Sequence, residues 1–311
     1  MEPSEIKDPL ATGTTCRNDS PAPVLPAAAA SARTVTTQQC PTCGAGQATD
    51  AGSFTQPAWV YAIGRIEPRF PKVSVEKEFV QALGRDKAAG LTDRQALHSA
   101  LSKAENRYLV RQLCWVMTIE GLETYILVPR DSADTGLLVG ALRSTPQPWD
   151  LDVVIGIRGP IAPPEMCNGL MVPTLIFDQI YSFDRDSLIN SIPRPAKTSA
   201  KEFAPAAEEL FGRIMQMTDN AGATDEHRAL NYLAVRYPRI YEAVSEAFGR
   251  NESLTAVEVR PSSLSGTRQV VDATFVFTNR NTDVVSKQYV RVDVTEEFPF
   301  MVTKLSPYVD H

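Results

Sequence analysis

The chain has 311 residues, 43% of them apolar, and a formal net charge of −6. That is enough for one large domain or two modest ones. The spread acidic charge, with no Lys/Arg-rich block, excludes a nucleic-acid footprint, and no apolar run approaches the roughly 18–20 residues needed to span a bilayer.

In chain order, residues 1–55 come first. They are rich in Ala, Thr, Ser, Pro and Gln with almost no large apolar side chains, so a disordered tail is expected there. "PVLPAAAASA" (23–32) follows an acidic start (Glu2, Glu5, Asp8) and carries Pro23 and Pro26. It therefore reads as linker and not as a signal peptide. Near the end of the tail stands CPTCG, with Cys40, Cys43 and Gly44.

The first folded segment is "AWVYAIGRIEPRF", where Trp59, Tyr61 and Ile63 alternate with smaller residues as in a strand ended by Pro68. "SVEKEFVQAL" and "LTDRQALHSALSKAENRYLV" read as helices, the second capped by Thr92 with Leu97, Leu101 and Tyr108 near one face. "LCWVMTIE" and "ETYILVPR", separated by Gly121–Leu122, predict a hairpin, and "GLLVGALR" a short helix. "LDVVIGIRG" is a continuous apolar run, the pattern of a strand buried on both faces, and "VPTLIFDQIYSF" is another strand. The alternation predicts an α/β unit over residues 56–192 built on a mixed sheet, followed by a Pro-bearing linker, "PRPAKTSA".

Residues 193–311 predict a helical layer and then an antiparallel meander. "KEFAPAAEELFGRIMQMTDN" places Phe203, Leu210, Ile214 and Met217 at helical spacing, and "DEHRALNYLAVRY" and "RIYEAVSEAFGR" continue the layer across Pro238. Strands alternating in twos then run to the end, with turns at Ser265–Gly266 and Asn279–Asp283. The fold class is thus α/β shading into α+β. Residues 56–311 are expected to form one compact unit.

Five cysteines (Cys16, Cys40, Cys43, Cys114, Cys167) form an odd set without an export signal. This argues for reduced thiols and a cytoplasmic protein. In C-x-x-C two thiolates bind one metal from a tight turn, and glycine after the second cysteine takes the positive φ that the turn demands; Gly44 fits. A structural zinc site needs two further ligands, offered by Cys114, Cys167, His98, His227 or a second copy of the chain. A redox pair would need a strand and helix around the motif, and an incidental pair is the third reading. Cys114 inside a strand also reads as a small buried hydrophobe, and Cys167 as a loop cysteine, a ligand, or a nucleophile with His227 as its base. Carboxylate pairs such as Glu296–Glu297 and Glu208–Glu209 read as solvated surface charge, and no Walker A, G-x-S-x-G, H-E-x-x-H or G-x-G-x-x-G motif occurs.

Several long segments are idiosyncratic: "YAIGRIEPRFP", "ENRYLVRQLCWVMTIEGLETYILVPRD", "DVVIGIRGPIAPPEMCNGL", "FDQIYSFDRD" and "VRVDVTEEFPFMVTKLSPY" among them. Over residues 56–308 the chain resembles the C-terminal domain of PatG, the cyanobactin maturation protease, a domain of unknown function with a related copy in the companion protease PatA. The resemblance implies a module of ribosomal modified-peptide biosynthesis, here without the subtilisin-like macrocyclase, so no protease activity carries over and no catalytic residue is transferred. It also implies that cysteines ahead of the first strand recur, which favours zinc on Cys40 and Cys43 with Cys167 and Cys114. The expected role is a non-catalytic module that binds precursor peptide or partner enzymes, with no nucleic acid or membrane partner. A peptide would add to the edge of "YVRVDVTEEF". The alternatives are an enzyme acting on such peptides through Cys167 and His227, and a zinc-stabilised homodimerisation domain.

Overall fold

The computed structural model describes residues 58–84, 90–147, 149–192, 200–216 and 219–308. They form an α+β fold of eight α-helices and two sheets among the described residues. The residues after Phe54, Thr55–His311, are one compact unit.

The first sheet is a closed five-stranded barrel. Its strands are β1 (Trp59–Arg69), β2 (Cys114–Ile119), β3 (Leu122–Pro129), β4 (Asp150–Ile161) and β5 (Pro173–Asp184), in the order β1-β2-β3-β5-β4, with β4 pairing back onto β1. Every pairing is antiparallel except β3 with β5, which makes the sheet mixed. The expected mixed sheet is present.

Closure also explains the apolar runs. Val60 and Ala62 of β1, Met117 of β2, Tyr125 of β3, Val154 of β4 and Phe177 of β5 belong to one core cluster, and the only face that five closed strands share is the barrel interior. The alternate residues point outward yet are also buried. Tyr61, Ile63, Val153 and Ile155 enter a second core, while Cys114, Val116 and Ile126 enter a third. Helices α1 (Val73–Leu83), α2 (Asp93–Leu101), α3 (Arg107–Gln112) and α4 (Thr135–Leu142) extend the interior cluster with Phe79, Leu101, Leu109 and Leu138.

The Thr92 hydroxyl caps α2, accepting from Gln95 N in a full capping box. The single long helix expected here is broken in two. The Ser102 hydroxyl donates to His98 O (2.6 Å) and the Asn106 amide donates to Ala100 O (2.7 Å), so side chains satisfy the last carbonyls of α2. Tyr108, beyond the break, is exposed.

The second sheet has the order β10-β8-β7-β6, with β9 also on β8: β6 (Glu252–Pro261), β7 (Val270–Asn279), β8 (Val285–Asp293), β9 (Phe300–Met301) and β10 (Ser306–Pro307). The meander is as expected, but its last long strand is not open. Residues Phe300–Met301 and Ser306–Pro307 pair with β8, and Tyr308 N donates to Lys287 O, so the chain's own end covers the edge proposed for an added peptide.

Between barrel and sheet lie α5 (Arg185–Ser191), α6 (Ala200–Met215), α7 (Asp225–Arg236) and α8 (Arg239–Gly249). Phe203, Leu210, Leu230, Tyr241, Phe275 and Val290 share a core with Tyr61, Ile63, Val153 and Ile155 of the barrel. No helix among the described residues is long and apolar enough to cross a membrane.

Candidate functional site

Two cavities flank the β2–β3 hairpin, of about 670 Å³ and 630 Å³, and Glu120, Glu123, Met215 and Gln216 line both. The pairing of Ile119 with Leu122 leaves a two-residue turn, Glu120–Gly121, with φ of 49° and 81°. Two positive φ values make a type I′ turn, whose twist matches that of the flanking strands. This places the turn one residue earlier than the spacing predicts. The first cavity is lined by the apolar Trp149, Phe211 and Met215 together with Arg65, Glu67 and Arg185, with Arg69 ion-paired to Glu123. The second is more apolar, with Ile119, Leu122, Val172 and Pro173, and Arg158 as its one cation. At its wall the Tyr125 hydroxyl donates to Ala221 O (2.9 Å), and burial pushes its pKa up to about 12, so it stays a neutral donor. The two adjoining cavities, together called the hairpin channel below, share the wall of Glu120, Glu123, Met215 and Gln216, and the second is the more apolar of the two.

The cysteines behave differently from expectation. Cys114 and Cys167 are joined in a disulfide, with Cα atoms 5.5 Å apart. The bond pins the 162–172 loop over the outer face of β2 and β3, where Ala162, Leu170 and Val172 pack on Val116 and Ile126. A disulfide offers no thiolate, so Cys114 and Cys167 cannot act here as zinc ligands beside Cys40 and Cys43, which lie outside the described residues. Nor does Cys167 present a nucleophile for His227. The expectation of reduced thiols, and the cytoplasmic reading built on it, lose their premise at this pair. His227 sits in the first turn of α7, whose N-cap is the Thr224 hydroxyl. Its Nδ1 is buried without a hydrogen-bond partner among the described residues, and burial lowers its pKa, which keeps the ring neutral. His98 contacts the hydroxyl of Ser102 on its own helix at 3.3 Å. Among the described residues no three His, Cys, Asp or Glu side chains gather into a metal cage.

One polar cluster escaped the sequence reading. Ile155 pairs with Gln179 and Gly156 with Phe177, so Asp178 is the extra residue of a β-bulge. A Cβ at position 156 would stand 2.1 Å from Ile176 O, so only glycine lets the strands meet there. The bulge brings Asp178 to Arg130 (Nε–Oδ1 2.9 Å) and into hydrogen-bonding contact with Glu297. Asp178 Oδ2 and Glu297 Oε1 are both buried and find no other donor among the described residues. Protonation of Glu297 supplies the donor that this pair of acceptors lacks. Burial first, then Asp178, pushes Glu297 up to about 7. The loop of Glu297 is held by Arg228, 2% exposed, which donates to Val294 O (2.6 Å), Glu296 O and Glu297 O (3.3 Å). Glu297 is therefore not the solvated surface acid its sequence context predicts; only the three-dimensional meeting with Asp178 reveals it.

A third, smaller cavity of about 340 Å³ is lined mainly by rings: Tyr61, Tyr181, Tyr232 and Phe298, with Arg236 at its side.

A family model described as the PatG domain matches residues 59–286. A solved structure titled "PatG Domain of Unknown Function" is similar in fold, with a TM-score of 0.63 at 17% identity, covering 81% of this chain and 99% of the other. No curated protein matches the sequence.

Proposed function

The chain belongs to the PatG domain family, and from that premise we propose that it is a binding module of ribosomal modified-peptide biosynthesis, holding an extended segment of a precursor peptide or of a partner enzyme. The channel along the β2–β3 hairpin carries this reading: two adjoining cavities share a wall and alternate charged and apolar lining, as an extended peptide with mixed side chains requires. With β8 covered by β9 and β10, the channel replaces the sheet edge as the docking place.

Gly212 supplies the test, because it lines the first cavity from α6 and a Cβ there meets nothing within 4 Å. Gly212→Phe therefore fills the channel without disturbing the fold. A fluorescein-labelled synthetic peptide matching a precursor encoded beside this chain is expected to bind with a Kd on the order of 10 μM, weakened at least about tenfold in Gly212→Phe and retained in Gly212→Ala. Absence of binding at high micromolar protein, or equal binding by Gly212→Phe, rejects the reading. Structural zinc on Cys40, Cys43, Cys114 and Cys167 belongs to the same proposal only for the reduced chain; metal analysis with and without a dithiol reductant reads it.

A further inference from the structure

The small ring-lined cavity has a composition that points to one ligand chemistry. Tyr61 is 2% exposed and meets Tyr232 edge-on, ring centroids 6.3 Å apart at 86°. Arg236 stacks on the Tyr181 ring, its guanidinium carbon 5.1 Å from the centroid, and lies close enough to the Tyr61 hydroxyl to interact with it electrostatically. Phe298 and Pro299 also line the cavity. The cavity therefore offers apolar ring faces, a buried hydroxyl and one guanidinium.

What the cavity lacks is an anion. No Asp or Glu lines it, and no carboxylate pairs with Arg236 among the described residues. A guanidinium stacked on a ring keeps its in-plane N–H donors free, in the fork geometry that matches a carboxylate. The Tyr61 hydroxyl stays protonated beside the guanidinium, so its proton is available as a further donor. Burial raises the pKa values of Tyr61 and Tyr232, so both rings stay neutral and repel no anion. A single cation balances a carboxylate, whereas a phosphate monoester carries close to two charges. The volume of about 340 Å³ holds one side chain or a terminal residue, not a nucleotide.

We infer that this cavity is a carboxylate-binding site, with Arg236 and the Tyr61 hydroxyl as the anion clamp and the surrounding rings holding an apolar body attached to it. Such a group is presented by a peptide that ends on an aromatic or aliphatic residue, or by an acidic side chain next to one. Only the identity of that body as peptide rests on the proposed peptide-binding role; the clamp itself does not.

Titration calorimetry of the full chain tests it with N-acetyl-L-phenylalanine against its amide, two probes differing only in the carboxylate. The acid is expected to bind at least about tenfold more tightly. Arg236→Gln should erase the preference at unchanged Tm, since the side chain is exposed, and Arg236→Lys should keep only part of it. Acetyl-Glu-Phe-amide against acetyl-Gln-Phe-amide then separates a side-chain carboxylate from a terminal one, and a preference in either pair supports the site. Gly212→Phe, which blocks the hairpin channel, should leave the probe affinities unchanged, so failure of the channel and failure of this clamp read out separately. The inference is overturned by equal binding of acids and amides, by no heat from any probe, by a preference that survives Arg236→Gln, or by loss of probe binding in Gly212→Phe.

Discussion

Gly222 sits at φ +70°, and a Cβ there would stand 2.3 Å from Tyr61 O. The peptide groups meet because Tyr61 N donates to Gly222 O (2.9 Å), while the Asn231 amide donates to Tyr61 O (2.8 Å). Gly222→Ala combines a left-handed backbone with a backbone clash, so a loss above about 2 kcal/mol in chemical denaturation is expected. Gly212 is the opposite case: helical, with open space beyond it, so Gly212→Ala should gain roughly 0.5–1 kcal/mol. Asp152 makes a third residue-scale case. It accepts from Ile66 N (2.9 Å) and the Ser182 hydroxyl (2.5 Å), yet burial outweighs both bonds and pushes its pKa up to about 6. A carboxyl whose folded pKa is raised stabilises fully below its unfolded value and loses that contribution as pH rises through the folded one. Stability should therefore fall between about pH 4 and 6, by on the order of 2 kcal/mol. Asp152→Asn, whose amide satisfies both partners, should flatten this slope in denaturation series across pH. The roles of Gly222 and Asp152 are not written in composition or periodicity, since each depends on an atom more than 80 positions away or on a backbone angle.

Elements were legible where their signal is local. The Thr92 cap, the β2–β3 hairpin and the Asn279–Asp283 turn are all present, because capping and turn chemistry act over three or four residues. The apolar run "LDVVIGIRG" marked burial on both faces correctly, but a parallel sheet and a closed barrel write the same run. What decides between them is the pairing of β4 with β1, across about 90 residues. Cysteine arithmetic failed for a similar reason: counting thiols says nothing of which two meet. The Cys114–Cys167 bond closes a separation of 53 residues, so its reduction, or Cys167→Ser, is expected to cost about 2–4 kcal/mol and lower Tm. The loop after β8 carries a pH response of its own. Protonated Glu297 donates to Asp178, facing Arg130 from the end of β3 and Arg228 from α7. Its raised pKa means that this tether is complete below about pH 4.5 and is lost as pH rises through about 7. Amide exchange at Phe298 and Phe300 should quicken over that interval, and Glu297→Gln, which keeps a donor at every pH, should abolish the change.

At the scale of the molecule, the sequence divides at "PRPAKTSA" into an α/β half and a helical-plus-meander half, and the core does not respect that division. Tyr61, Ile63, Val153 and Ile155 project from the outer face of the barrel into the cluster that holds Leu210, Leu230, Phe275 and Val290. Burying one large apolar side chain is worth about 1.5–3 kcal/mol, so these four residues alone represent roughly 6–12 kcal/mol of burial supplied by the second half. That is comparable with the entire net stability of a domain, about 5–15 kcal/mol. The hydrogen bonds from Tyr61 N to Gly222 O, from Asn231 to Tyr61 O and from Tyr125 to Ala221 O would be severed by the same division. Both proposed sites also need both halves. The hairpin channel takes Met215 from α6 and Gln216 from just after it, and the carboxylate clamp pairs Tyr61 and Tyr181 of the barrel with Tyr232 and Arg236 of α7. Residues 55–311 are therefore expected to unfold in one cooperative transition, with calorimetric and van't Hoff enthalpies in agreement. Residues 56–192 produced alone should expose the outer faces of β1 and β4 and aggregate. Two separated transitions, or a soluble and folded 56–192 fragment, would show that the shared core is not what holds the halves together.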